Sequence, residues 1–103
     1  MTFTNEAEFQ KECHKYLKDN NIWFYHIEKG RGKNLTHRGG EPDLQIRPGK
    51  GKVFYIELKM PNKKLRPEQQ LFKEKCFDND YAFYMCDTWN WFIDVLRKEG
   101  CII

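Results

Sequence analysis

The sequence lacks any apolar run near the roughly 18 residues that a membrane span needs, so no membrane partner is expected. It lacks a C-x-x-C pair. Its cysteines, Cys13, Cys76, Cys86 and Cys101, are dispersed, so the close ligand pairs of a zinc finger are missing and no structural zinc is expected. Reduced, buried thiols are expected instead. Proline is sparse, at four residues, and there is no internal repeat or low-complexity tract. The first ten residues are acidic and polar and do not read as a signal peptide, so a cytoplasmic or nuclear protein is expected rather than a secreted one.

Aromatic residues are plentiful. Eight Phe, five Tyr and three Trp make 16% of the chain, and each ring can bury on the order of 150–250 Å². Together with 40% hydrophobic residues this excludes a disordered chain, despite 32% charged residues and a mean hydropathy of -0.84. A length of 103 residues suits one domain, residues 1–103, with one core.

The net charge of +3 conceals an uneven distribution. From Lys29 to Arg66 eleven basic side chains face three acidic ones, Glu41, Asp43 and Glu57, for a local net charge of +8. A basic middle of this kind is an electrostatic footprint for a polyanion. Equally, it is what a solvated, loop-rich surface looks like. The positions of the three acids separate these readings.

Asn5 with Glu8 three residues on resembles a capping box, with Thr4 as the other cap candidate. Phe9, Cys13, Tyr16 and Leu17 then form one helical stripe, ended by Asp19-Asn20-Asn21. Ile22 to Ile27 is β-branched and aromatic, which predicts a buried strand. Glu28 to Gly40, with four glycines, reads as a loop. Asp43 to Arg47 predicts a second strand, Pro48 to Gly51 a hairpin turn, and Lys52 to Lys59 a third strand. Pro67 suits the first turn of a helix carrying Leu71, Phe72 and Cys76 to about Asp78. Tyr81 to Cys86 predicts a fourth strand. A last helix follows from about Trp89 to Lys98, capped by Asp87 or Thr88, with Trp89, Phe92, Ile93 and Leu96 inward. The order αβββαβα, a hairpin followed by a helical crossover, implies an α/β fold: a mixed central sheet flanked by helices.

Alternation places Val53, Tyr55, Glu57 and Lys59 on one face of the third strand and Phe54, Ile56 and Leu58 on the other. A lone Glu-x-Lys is usually a surface ion pair worth under about 1 kcal/mol. Here the hairpin sets Asp43, at the start of one strand, beside Glu57, near the end of the next. Two carboxylates so close repel unless a cation or a proton lies between them. A few oxygen ligands, with water and phosphate in the remaining positions, describe a magnesium site. Such a pair with a lysine suits phosphodiester hydrolysis. Gly39-Gly40-Glu41-Pro42 reads as a turn, or as a place where backbone comes close to a ligand.

Gly40-Glu41-Pro42-Asp43, Glu57-Leu58-Lys59 and Arg66-Pro67-Glu68-Gln69 with Phe72 together resemble the VRR-NUC nucleases of the PD-(D/E)XK superfamily, whose restriction-endonuclease-like core runs αβββαβ. The resemblance spans Glu6 to about Leu96. It implies that Asp43, Glu57 and the Leu58 carbonyl ligate Mg²⁺ or Mn²⁺, and that Glu6 reaches the metal directly or through water. Glu8 and Glu12 compete with Glu6 for that role. The resemblance further implies that Lys59 positions the nucleophilic water and that Gln69 orients these groups or the phosphate. The long basic loop before Gly40 departs from the family pattern. Arg31, Lys33, His37, Arg38, Lys63, Lys64 and Arg66 are candidate nucleic-acid contacts, whereas His26, inside a strand, reads as structural.

The leading expectation is a metal-dependent DNA endonuclease acting on branched DNA as a homodimer, as stand-alone Holliday-junction resolvases of the resembled family do. A non-catalytic nucleic-acid-binding module on the same fold, and a flap or single-strand nuclease, are the alternatives. An interaction domain is a third reading. Trp89 and Trp91 cannot share a helical face, so one is expected at the surface, where it and the apolar Cys101-Ile102-Ile103 tail would serve a subunit contact.

Overall fold

The computed structural model describes residues 1–27 and 40–103. The elements are α1 (Glu6–Asp19), β1 (Trp23–His26), β2 (Leu44–Gly49), β3 (Lys52–Leu58), α2 (Pro67–Asp78), β4 (Ala82–Cys86) and α3 (Trp89–Lys98). This is the expected αβββαβα order.

α1 begins where the Asn5 side chain accepts the Glu8 N–H at 2.9 Å, while Thr4 Oγ1 donates to the Glu8 carboxylate at 2.9 Å. Phe9, Cys13 and Leu17, at helical spacing, are fully buried. α3 starts at Thr88, whose Oγ1 accepts the Trp91 N–H at 3.1 Å. It ends before Gly100, which adopts a left-handed φ of 80°. Of its side chains Phe92, Val95 and Leu96 are buried, while Trp89 and Ile93 pack partly exposed against them. Val95 thus takes a core place that the apolar spacing had assigned to its neighbours.

The strands form one sheet in the order β1-β2-β3-β4. β1, β2 and β3 pair antiparallel, and β4 adds parallel to β3. A parallel neighbour requires a crossover, which α2 supplies. Leu44 pairs with Ile56 and Ile46 with Phe54, so these residues and Leu58 line one face. They build a single core there with α1 and α3. On the other face α2 lies over β3 and β4, where the Phe72 ring meets Tyr55 at 5.2 Å and Phe83 at 6.3 Å.

Three expectations need correction, and one side chain of α2 needs placing. The Ile22–Ile27 segment is a strand, but not a buried one. β1 is the sheet's edge, and Trp23 and Tyr25 are exposed with the Arg47 guanidinium 4.7 and 4.4 Å from their ring centroids. β2 runs on to Gly49, beyond Arg47, and the turn shrinks to Lys50-Gly51, both at positive φ (55° and 74°). Pro48 has no N–H for the ladder, and the register shifts between Ile46 and Gly49. Leu71 faces solvent, because the buried stripe of α2 is Gln69 and Cys76 with Phe72 between them. Finally, Cys101 and Ile102 pack against the chain's own core, which leaves Ile103 as the exposed part of the tail.

All four cysteines are free thiols. Among the described residues no helix is long and apolar enough to cross a membrane.

Candidate active site

The β2–β3 register, carried one step past Leu44–Ile56, sets Asp43 beside Glu57. The contacts agree with that placement: Asp43 Oδ2 accepts the Leu58 N–H at 2.8 Å, and the Asp43 carbonyl accepts the Ile27 N–H at 2.9 Å. Asp43 therefore bridges the ends of β1 and β3 at the moment the chain enters β2. Glu57 is 2% exposed, an unusual position for a carboxylate. Lys59 Nζ lies 3.7 Å from Glu57 Oε2, and the Lys59 backbone N–H is fixed on the Cys86 carbonyl at 3.0 Å. Lys59 is itself 9% exposed, so this is an enclosed ion pair, unlike the surface pair that an isolated Glu-x-Lys usually makes.

Gln69 comes from the other layer. Its Nε2 donates to Glu57 Oε2 at 3.1 Å, while its Oε1 accepts the Arg66 N–H at 2.8 Å. The second bond is half of a capping box, made by the third helical residue upon the cap's backbone. The first bond ties the start of α2 to the site, and Gln69 is 1% exposed as a result. Gly40 explains how the layers close. A Cβ there would lie 2.2 Å from the Glu68 carbonyl oxygen. The backbone's close approach at Gly40 is thus to α2 of the same chain. Pro42, next to Asp43, is buried as well.

The sequence-predicted residues thus divide. Asp43, Glu57, Leu58, Lys59 and Gln69 are brought together. Glu6 opens α1 with its side chain exposed. Among the described residues no group of three or more His, Cys, Asp or Glu is placed to hold a metal ion, so Glu6 is not gathered with Asp43 and Glu57. Of its competitors, Glu8 is engaged at the helix cap. Lys63, Lys64 and Arg66 are exposed on the connection from β3 to α2, and Arg66 Nε lies 3.6 Å from Glu68. Arg31, Lys33, His37 and Arg38 lie outside the described residues.

Sequence reasoning missed a polar cluster under α1. Gln10 Nε2 and His26 Nδ1 are 3.1 Å apart, and the His14 ring lies 5.0 Å from His26 and 5.4 Å from Phe24. Burial, then His26 and Lys18, hold the His14 imidazole below its ordinary pKa, while Asp43 pulls the other way. Burial, with Cys86 and Asp43 adding to it, pushes the Cys13 thiol up. The Asp43 charge is therefore felt on α1. Gln10 and His14 stand one helical turn apart, which was the available signal.

The donor chemistry fits a hard divalent cation. The adjacent carboxylates of Asp43 and Glu57 offer oxygen only, the donor type that Mg²⁺ or Mn²⁺ takes with several waters retained.

The VRR-NUC domain family model matches residues 5–89. A solved structure described as a VRR_NUC domain superposes with a TM-score of 0.72 at 20% sequence identity, covering 95% of this chain and 99% of that one. No curated protein matches the sequence. The family match spans every residue gathered at the site, and the chain belongs to the VRR-NUC family of nuclease-type domains.

Proposed function

We propose that the protein is a Mg²⁺- or Mn²⁺-dependent DNA endonuclease that hydrolyses phosphodiester bonds, with branched DNA as its substrate. The observation that carries this reading is the side-by-side setting of Asp43 and Glu57, with the Lys59 ammonium 3.7 Å from Glu57 in an enclosed place. A structural ion pair needs only one carboxylate; a second one costs repulsion unless a cation is bound.

Asp43, Glu57 and the Leu58 carbonyl would hold the metal. When bound, it supplies a Lewis acid for the phosphate and a lower pKa for a nearby water. Lys59 presents positive charge toward the attacking water and toward the charge that develops on phosphorus-bound oxygens. Gln69 acts as a positioning residue: its amide fixes the rotation of the Glu57 carboxylate. The part of the sequence from Lys29 to Arg66, net +8, would supply the charge that holds the backbone of the nucleic acid.

One chain carries one such set, and one set cuts one strand at a time. Resolving a four-way junction takes two opposed nicks, so the working form in this reading is a two-fold dimer. A labelled panel of single strand, duplex, flap and four-way junction, with and without Mg²⁺, tests the reading. Metal-dependent nicking with preference for the junction supports it; no nicking of any substrate overturns it. Light scattering should give about twice the 12.5 kDa chain mass. A mixed dimer of wild-type and Asp43→Asn chains should bind a junction and nick one strand. A monomer that makes both nicks, or cutting of flaps alone, removes the resolvase part and leaves the nuclease part.

A further inference from the structure

Among the described residues β4 is the edge of the sheet opposite β1. Along it runs a groove of about 500 Å³ between α2 and α3, within the size range of ligand sites. Lys63, Lys64, Lys73 of α2, Phe83 and Met85 of β4 and Trp91 of α3 line it. Among the described residues none that lines it is acidic. Among the described residues none of the three lysines is in an ion pair. Trp91 is 43% exposed because Trp89, two residues earlier, takes the inward direction against Phe3, Tyr16 and Phe92.

The groove adjoins the catalytic face. Met85 is the register partner of Glu57 on the neighbouring strand, about 4.8 Å away across the ladder. Gln70, which also lines the groove, follows Gln69 directly. Three lysines and an exposed indole lining one groove with apolar side chains match the chemistry of single-stranded nucleic acid: phosphates on lysine, a base on the aromatic face. A duplex would present no unstacked base to Trp91.

We propose that this groove takes unpaired nucleotides that continue from a duplex held at Asp43 and Glu57. The inference rests on the nuclease reading for the position of the duplex, and it names the feature by which branched or tailed DNA is distinguished from a plain duplex. Trp91 stacks a base, and Lys63, Lys64 and Lys73 contact the phosphates beside it.

The test is fluorescence anisotropy with labelled DNA in EDTA, where nothing is cut. A duplex with a single-stranded tail should bind the wild-type protein more tightly than the same duplex with blunt ends. Trp91→Ala should lose affinity for the tailed duplex by about 5- to 150-fold, the value of one base stack, and keep its affinity for the blunt one. Lys73→Ala should reduce the salt slope for the tailed duplex by about 0.7, the single-strand value per phosphate. Equal losses on both duplexes, or no loss on the tailed one, overturn the proposal. So does a halving of the mass of Trp91→Ala in light scattering without loss of tail binding, which would make the groove a subunit contact. The nuclease reading is judged apart from this, by wild-type nicking of the substrate panel, four-way junction included, in Mg²⁺. Nicking with no tail effect leaves the nuclease and removes the groove; a tail effect without nicking does the reverse.

Discussion

The Gln69 side chain spans from Arg66 to Glu57, with its oxygen on one backbone N–H at 2.8 Å and its nitrogen on the buried carboxylate at 3.1 Å. Both bonds are out of water, so their loss leaves polar groups stranded. Gln69→Ala should cost about 1–3 kcal/mol in urea denaturation. Gln69→Glu should cost more, because a second carboxylate then meets Glu57, and added Mg²⁺ should restore part of the loss. Equal stability of Gln69→Ala and wild type contradicts this placement.

Asp43→Asn, Glu57→Gln and Lys59→Ala should each abolish or greatly reduce nicking while the far-ultraviolet circular dichroism stays that of the folded chain. Asp43→Asn keeps a hydrogen-bond acceptor and removes like-charge repulsion, so its apo stability should hold or rise slightly, whereas Glu57→Gln also strips the enclosed Lys59 ammonium of its counter-ion and should cost stability. Mg²⁺ should raise the Tm of the wild type more than that of either amide variant, since the ion stabilises what binds it. Full nicking by Asp43→Asn would refute the assigned site.

Gly40→Ala should be harmful although it adds one methyl group. The contact at 2.2 Å is with backbone oxygen, which has no rotamer to escape into. Overpacking of this kind costs about 1–3 kcal/mol. At roughly 4–8 °C per kcal/mol for a domain near this size, the loss is easily read in a melting curve. Relief of the clash by movement of α2 also displaces Gln69, so nicking should fall more than stability alone accounts for. An unshifted melting curve would show that the close approach is not required.

Stability should fall on both sides of neutrality. The folded His14 pKa is lowered by burial, then by His26 and Lys18. The unfolded chain therefore takes up the proton first, and stability is lost as pH drops below about 6.5 toward the folded value. Burial pushes the Cys86 thiol up to about 12 and, with Glu99 adding to it, the Cys101 thiol up to about 11. These contributions are complete below the unfolded value of about 8.5 and are lost as pH rises through the folded ones. Melting temperatures in a pH series should show a plateau from about 7 to 8.5. His14→Gln should flatten the acid side; an acid limb identical to wild type contradicts the assignment.

Neutralising Arg31, Lys33 and Arg38 together should weaken duplex binding for all sequences. It should also flatten the plot of log K against log salt by up to about 0.9 per lost phosphate contact. An unchanged slope means these side chains stay clear of the nucleic acid.

The core of the site was legible because hairpin geometry is arithmetic. Once residues around Asp43 and Glu57 are antiparallel neighbours, period two decides which side chains meet. The burial of Gln69 was harder to read, since α2 carries Leu71 and Phe77 outward and its inward stripe is partly polar. β1 read as buried because its composition does not reveal that it would be an edge. The Gly40–Glu68 contact joins distant segments without any periodic pattern, so only the folded chain exposes it. Glu6 sits as the first residue of an exposed helix start, where a first-turn acid is favoured by the helix dipole whatever else it does.

The sparse anchoring of α2 has a consequence for opening motions. Only Gln69 and Cys76 are buried along its length, whereas β3 buries Phe54, Ile56, Glu57 and Leu58. Amide protons of residues 67–78 should therefore exchange with solvent through sub-global openings that leave the sheet intact. Each such opening withdraws the Gln69 amide from Glu57 and lets water reach a carboxylate that the closed form keeps dry. Deuterium uptake along this helix then counts how often the Gln69–Glu57 contact comes apart and re-forms, so the lifetime of the closed site is set by a helix that supplies neither of its two carboxylates.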